Sequence, residues 1–292
     1  MNPLLDTLVS LLDMETLETH LFRGASQDLG FRQLFGGQVL GQALSAASKT
    51  VDAGRQAHSL HGYFLRAGDA GKPVIYQVEP VRDGATFSTR RVMAIQNGRP
   101  IFTCSASFHI REEGFSHQSA MPDVPPPEQL ASDADLTPEL SRLLNDEKRI
   151  KMLRDKPIET RPVQVLDPLN PAQSEPVKQV WFKASGHLPD CPALHRYLLA
   201  YTSDFSLLTT SLLPHGASIW QPQMQVASLD HAIWFHDEVR MDDWLLYSMD
   251  SPWAGGGRGF ARGSIFTRDG RLVASVAQEG LTRVRHDWPD RH

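Results

Sequence analysis

The 292-residue chain carries one set of turn signals twice at nearly constant spacing, and this repeat limits its folds more than any other feature. Asn97-Gly98 and Asp269-Gly270 lie 172 residues apart, Gly84 and Gly256 again 172 apart, and Ser59-Leu60 and Ser228-Leu229 169 apart. Asn-Gly between apolar runs marks a two-residue hairpin, because both turn positions need positive φ. In the first half HSLHGYFLR, KPVIYQVEPVRDG, ATFSTRRVMAIQNG and RPIFTCSASFHI alternate with period two and read as strands. In the second half QVASLDHAIWFH, WLLYSMDSP, GRGFARGSIFTRDG and RLVASVAQEGLTRVR do the same. Each set follows a stretch of helical period. A single duplication of a helix followed by antiparallel strands, α+β in class, accounts for this order.

The two helices differ in character. In the first, opened by Gly36 and Gly37, residues Val39, Leu40, Ala43, Leu44 and Ala47 form one stripe, and Gly41 with the alanines lets another element approach closely. In the second, residues 194–213, Leu194, Tyr197, Leu198, Tyr201, Phe205 and Leu208 fall at the three-and-four spacing of one buried face. Asp204 lies on that face, so its carboxylate is aimed at the core. Burying a carboxylate is costly unless it is bonded or used. The alternative is that Ser203 or Asp204 caps a second helix starting at Phe205.

The remaining segments set the boundaries. Residues 1–22 read as an amphipathic first helix. Asp6, Asp13, Glu15 and Glu18 interrupt it, and no basic region or small-residue cleavage site accompanies it, so it is not a signal peptide. Pro122, Pro125, Pro126 and Pro127 among acidic residues mark a linker, with a short charged helix near 140–153. The expected units are therefore 1–112, a linker 113–161, and 162–292. A net charge of −5 without any basic run argues against nucleic acid or an anionic membrane as partner. No stretch approaches the roughly 18 apolar residues of a membrane span, so no stable membrane insertion is expected. Cys104 and Cys191 lie in opposite halves with no metal-ligand spacing, which reads as reduced thiols in a cytoplasmic protein.

Most candidate reactive residues have an ordinary explanation. His58 and His61 are three apart in a strand and should face opposite sides, so no metal is shared between them. His58 is kept as a secondary candidate lining a pocket in the first half. Asp230 adjoins His231, but neighbours in a strand do not form an acid–base pair, and His236 ends its strand. No G-x-S-x-G elbow occurs, so a serine nucleophile and an acyl-enzyme are not expected. Gly255-Gly256-Gly257-Arg258-Gly259 lacks a Lys-Ser/Thr ending and reads as a hairpin turn. Gln278 ends a strand face after Leu272, Ala274 and Val276, and Ser228 precedes a strand.

Longer segments carry a resemblance. FRGASQDLGFRQLFGGQVLGQAL, HSLHGYFLRAGD, VRDGATFSTRRVMAIQNGRPIF, HRYLLAYTSDFSLL, SLDHAIWFH and ARGSIFTRDGRLVASVAQEG are similar to segments of the type II acyl-CoA thioesterases, over residues 11–283 and weakly only in the linker. The resemblance implies a tandem double hotdog, each half an antiparallel sheet wrapped around a central helix. It implies Asp204 in YTSDF, Ser228 in VASLDHAIWFH and Gln278 in SVAQEG as the catalytic set, with Ser where many relatives have Thr. It further implies fatty acyl-CoA as substrate, no cofactor or metal, and assembly into a homodimer or higher homo-oligomer. Chemically the set suits water attack on a thioester: a carboxylate accepts the proton while an amide and a hydroxyl hold the water. Backbone N–H groups at a helix start are the expected donors to the developing oxyanion. Arg90, Arg91, Arg258 and Arg262 are candidates for the CoA phosphates. The 172 spacing puts Ala106 opposite Gln278, so the first half should be structural or line the site. An acyl-CoA-binding protein without turnover, and a hotdog hydratase or dehydratase, are the competing readings. The latter requires an Asp-His pair of suitable spacing, which the sequence does not offer.

Overall fold

The computed structural model describes residues 2–29, 33–133, 135 and 156–285. Helix α1 (Pro3–Leu12) is capped by Asn2 and ends at Asp13. The helical reading of residues 1–22 therefore runs too far: strands β1 (Glu15–Glu18) and β2 (Leu21–Gly24) form a hairpin there, turning at His20 with φ 61°. Helix α2 (Gly36–Ser48) follows, then β3 (Arg55–Phe64), β4 (Val74–Asp83), β5 (Phe87–Gln96) and β6 (Arg99–Ile110), the four strands expected from alternation. The second half contains β7 (Ile158–Pro162), β8 (Val177–Ala184), α3 (Pro192–Ser203), β9 (Met224–Ser228), β10 (Asp230–Phe235), β11 (Leu245–Gly255), β12 (Arg258–Thr267) and β13 (Leu272–Val284). The helix expected at 140–153 lies outside the described residues.

All these strands pair antiparallel into one sheet, in the order β1-β2-β4-β5-β6-β3-β10-β13-β12-β11-β8-β7. The two halves thus join through β3 and β10, where Leu60 pairs with Ile233 and Gly62 with His231. This is the double hotdog that the resemblance implied, built on the duplicated unit that the repeat predicted. Inside the curved sheet, α2 and α3 pack antiparallel. A side chain at Gly37 would strike the Tyr201 carbonyl, and one at Gly41 would lie 3.0 Å from the Tyr197 carbonyl, so these glycines set how closely the helices approach. The small-residue stripe of α2 has α3 as its partner. Buried Gln42 ties α2 to its surroundings, donating to the Leu11 and Ala25 carbonyls and accepting from the Tyr76 hydroxyl. That satisfies polar groups which burial would otherwise leave costly.

Several local expectations need correction. QVASLDHAIWFH is two strands: β9 pairs only with β13, while β10 pairs with both β13 and β3. The chain breaks at Leu229, whose N–H bonds the Glu279 carbonyl and whose carbonyl accepts from Phe64. His58 and His61 share a face. A bulge between Ala57 and Ser59 leaves His58 unpaired, and its Nε2 meets Ser107 Oγ at 2.8 Å on the outer surface, where His61 also lies opposite Ser105. The linker begins as a strap. Met121, Val124 and Leu130 cover Trp181, Leu246 and Phe266 on the outside of the second half, and Trp181 Nε1 donates to the Pro125 carbonyl. β7 then starts inside the segment read as linker.

Candidate active site

The 194–213 stretch is not one helix. Its hydrogen bonding ends at Ser203, Asp204 is the C-cap with φ −80° and ψ −15°, Ser206 turns at φ 68°, and a 3-10 segment runs through Leu208–His215. Asp204 therefore closes α3 and does not begin a second helix. The 3-10 segment packs on the second-half sheet, with Leu208 filling the space beside Gly280. Phe205 stacks on Phe35 from the first half at 4.3 Å between ring centroids, and Tyr201 meets both edge-on. The turn thus carries the Asp204 carboxylate toward the start of α2, leaving its side chain 6% exposed.

Three expected residues converge there. The Gln278 amide nitrogen donates to Asp204 Oδ1 at 2.7 Å and to Ser228 Oγ at 2.9 Å. Gln278 is inaccessible and projects inward from β13 opposite Ala261; Ser228 ends β9 at the Leu229 break. An amide with both hydrogens engaged turns its oxygen elsewhere, and Gln278 Oε1 is buried without a partner. Burial pushes the Asp204 carboxyl above the usual range, opposed by hydrogen bonds from Gln278, the Gly37 N–H and Ser228.

The first half contributes backbone. Asp204 Oδ2 lies where a side chain on Gly36 would be, 2.8 Å from that position, with the Phe64 ring 2.9 Å from it. Only glycine there admits both groups. The expected oxyanion donors at a helix start are partly spent, because the Gly37 N–H serves the Asp204 carboxylate. Ala106, inaccessible and paired with Leu60 and Arg90, stands where Gln278 stands in the other half, as the spacing implied.

Other candidates lie apart. His58 contacts Ser107, Phe87 and His109 on the outer face and none of the three site residues. Arg90 is not available to a ligand: its side chain is 3% exposed, bound to Asp83, to Thr50 and to the Arg82 carbonyl. Arg91, Arg258 and Arg262 are about half exposed and face Glu79, Glu279 and Asp250. One neighbour escaped the sequence reading. His231 is fully buried, with Nε2 2.9 Å from Ser203 Oγ and Nδ1 3.8 Å from Asp204 Oδ1. Asp230 drew attention to the wrong partner; the alternation of β10, which turns residues 231, 233 and 235 inward, was the usable signal.

No helix among the described residues is long and apolar enough to cross a membrane. Comparison with known proteins gives a consistent picture. Residues 148–281 match the family profile described as acyl-CoA thioesterase, and residues 26–109 match the acyl-CoA thioesterase N-terminal domain. Acyl-CoA thioesterase 2 of Haemophilus influenzae is 42% identical over 283 residues, covering 97% of this chain and 99% of the relative. Acyl-coenzyme A thioesterase 8 of Homo sapiens is 43% identical over 288 residues, covering 95% and 89%. The crystal structure of an acyl-CoA thioesterase II from Mycobacterium marinum superposes with a TM-score of 0.79 at 43% identity, over 96% of this chain and all of that one. Identity at this level, across both halves and a shared double hotdog, means that the chain belongs to the type II acyl-CoA thioesterases.

Proposed function

We propose that the protein hydrolyses fatty acyl-CoA to a free fatty acid and CoA by direct attack of water, with Asp204 as general base and Gln278 and Ser228 as positioning groups. The observation that carries this reading is the single Gln278 amide nitrogen bonded to both Asp204 and Ser228 while its buried oxygen has no protein partner. Water accepted between Gln278 Oε1 and the carboxylate gives its proton to Asp204 as its oxygen bonds the thioester carbonyl carbon. Collapse of the tetrahedral species breaks the C–S bond, and Asp204 returns the proton to the leaving sulfur. A carboxylate raised by burial and restrained by three donors is suited to this, because a base works best with a pKa nearer the operating pH than an ordinary Asp.

The same reading assigns the protein to the cytoplasm, in keeping with Cys104 and Cys191 as free thiols. It also makes it a homodimer or higher homo-oligomer, supported by exposed Phe87, Tyr63 and Ile110 on the first half. The test is thiol release from a series of acyl-CoAs by wild type and Asp204→Asn. Hydrolysis that collapses in the variant supports the base. Equal rates would move the base elsewhere, and binding without release by wild type would replace an enzyme with a binding protein.

A further inference from the structure

The buried contact between α3 and β10 has an open valence. Ser203 Oγ lies 3.0 Å from the Ala200 carbonyl and 2.9 Å from His231 Nε2, yet its hydroxyl has one proton for these two acceptors. Given to Ala200, it forces the imidazole to carry hydrogen on Nε2 and leaves a bare Nδ1 lone pair facing the Asp204 carboxylate. Given to His231, it places hydrogen on Nδ1, pointing at Asp204 Oδ1. The second arrangement matches charge with dipole; the first opposes them. His231 Nδ1 has no other partner, and a buried polar atom left unmatched is destabilising.

We infer that His231 is a positioning residue for the reaction: a neutral imidazole, set by Ser203 in its Nδ1–H form, that holds Asp204 Oδ1 and so favours the ionised carboxylate. This rests on Asp204 being the base. At 3.8 Å the pair is longer than a hydrogen bond, so the Nδ1–H acts on the carboxylate as an oriented dipole beside the Gln278 hydrogen bond. Ser203 is itself fixed, its carbonyl accepting from the Tyr247 hydroxyl at 2.9 Å. The ionisable groups on elements packed around the imidazole are Asp204 on α3, Tyr247 on β11 and, behind Gly62, Cys104 on β6. Burial pushes Tyr247 far up, Cys104 up to about 12 and His231 down to about 3, so none of these three changes charge near neutral pH. His231 therefore acts as a fixed donor and takes no proton from the medium.

Two amides separate the ring nitrogens. Asn at 231 places its NH2 near the Nδ1 position, while Gln reaches the Nε2 position and bonds Ser203 without reaching Asp204. The pH profiles of kcat and KM would be measured with decanoyl-CoA for wild type, His231→Gln, His231→Asn and Asp204→Asn. In parallel, the carboxyl band that Asp204→Asn removes would be titrated by infrared difference spectroscopy. The expected result for His231→Gln is an acid limb and a carboxyl titration both moved up by about one pH unit, with kcat down about tenfold at pH values below the limb. KM stays unchanged, and His231→Asn retains both wild-type curves. A His231→Gln titration superimposable on wild type overturns the proposal, as does equal loss in both amide variants. If Asp204→Asn hydrolyses at the wild-type rate, the base assignment fails on its own, whereas a shifted carboxyl band in His231→Gln would still uphold the pairing.

Discussion

The two ends of the α2–α3 pair are related by the duplication, and only one of them holds a buried carboxylate. At one end Gly36 and Gly37 begin α2 and receive Asp204, the C-cap of α3. At the other, α3 begins with Pro192 and Ala193 after Cys191, and the C-cap of α2 is Lys49, which turns away to Asp13 and the Met14 carbonyl. A cavity of about 280 Å³ remains at this second end, lined by Ser48, Val51, Arg55 and Gln56 with Cys191 and Tyr197. The fold supplies two equivalent helix junctions. Keeping an ionisable group buried at one of them takes three donors, and the second half alone, with Gly37 opposite, provides them.

The largest break in this comparison comes from Asp204→Asn, which should lower kcat by about two to four orders of magnitude without unfolding the protein. Its stability has a definite sign. Because burial raises the folded-state value, the folded chain favours the neutral acid. That contribution is complete below the unfolded value of roughly 3.9 and is lost as pH rises through the folded one. The variant should therefore melt above wild type at neutral pH, and the gap should close toward pH 4, which differential scanning calorimetry would read. A variant that melts lower at neutral pH would mean that the carboxylate stabilises the fold.

Gly36→Ala tests the junction from the opposite side. The added methyl would meet Oδ2 and the Phe64 ring, and displacing the carboxylate should cost about a hundredfold in kcat. Ala193→Gly, at the start of the other helix, should leave turnover unchanged in the same assay.

Gln278→Ala removes the link between Asp204 and Ser228, and a lost hydrogen bond to a charged group corresponds to about a tenfold to hundredfold fall in kcat. The reciprocal change, Ala106→Gln, should give no activity to an Asp204→Asn background and should destabilise by about 1–3 kcal/mol in urea titration, since Ala106 is inaccessible and tightly packed. Activity recovered by that double variant would show the two junctions to be interchangeable. Ser228→Thr should have the smallest effect. The methyl restricts χ1 of a hydroxyl already bonded to Gln278, so kcat should rise, but by no more than about threefold.

Much of this was written locally. Period-two alternation found β3 to β6, and β11 to β13, because each strand buries one face. The Asn97-Gly98 turn and the repeat spacing tied the strands into two copies. The similarity to the thioesterases then pointed to Asp204, Ser228 and Gln278, which the structure brings into one cluster. Where local reading failed, a backbone irregularity or a distant partner was responsible. The bulge at His58 moved it to the outer face with His61. Ser206 at φ 68° stopped a helix whose apolar spacing continued. Arg90 looked like a surface cation until the end of α2 and Asp83 enclosed it.

What the sequence determined by itself was the duplicated helix-and-sheet unit and the chemical types available to it, since period and turn chemistry depend on near neighbours. What only the tertiary structure decided was which groups meet. Asp204 and Gln278 are 74 residues apart, Gly36 comes from the other half, and His231 is turned toward Asp204 by the strand that joins the halves. Those meetings depend on the packing of α2 against α3 and on the pairing of β3 with β10. No local pattern encodes the electrostatic environment they create.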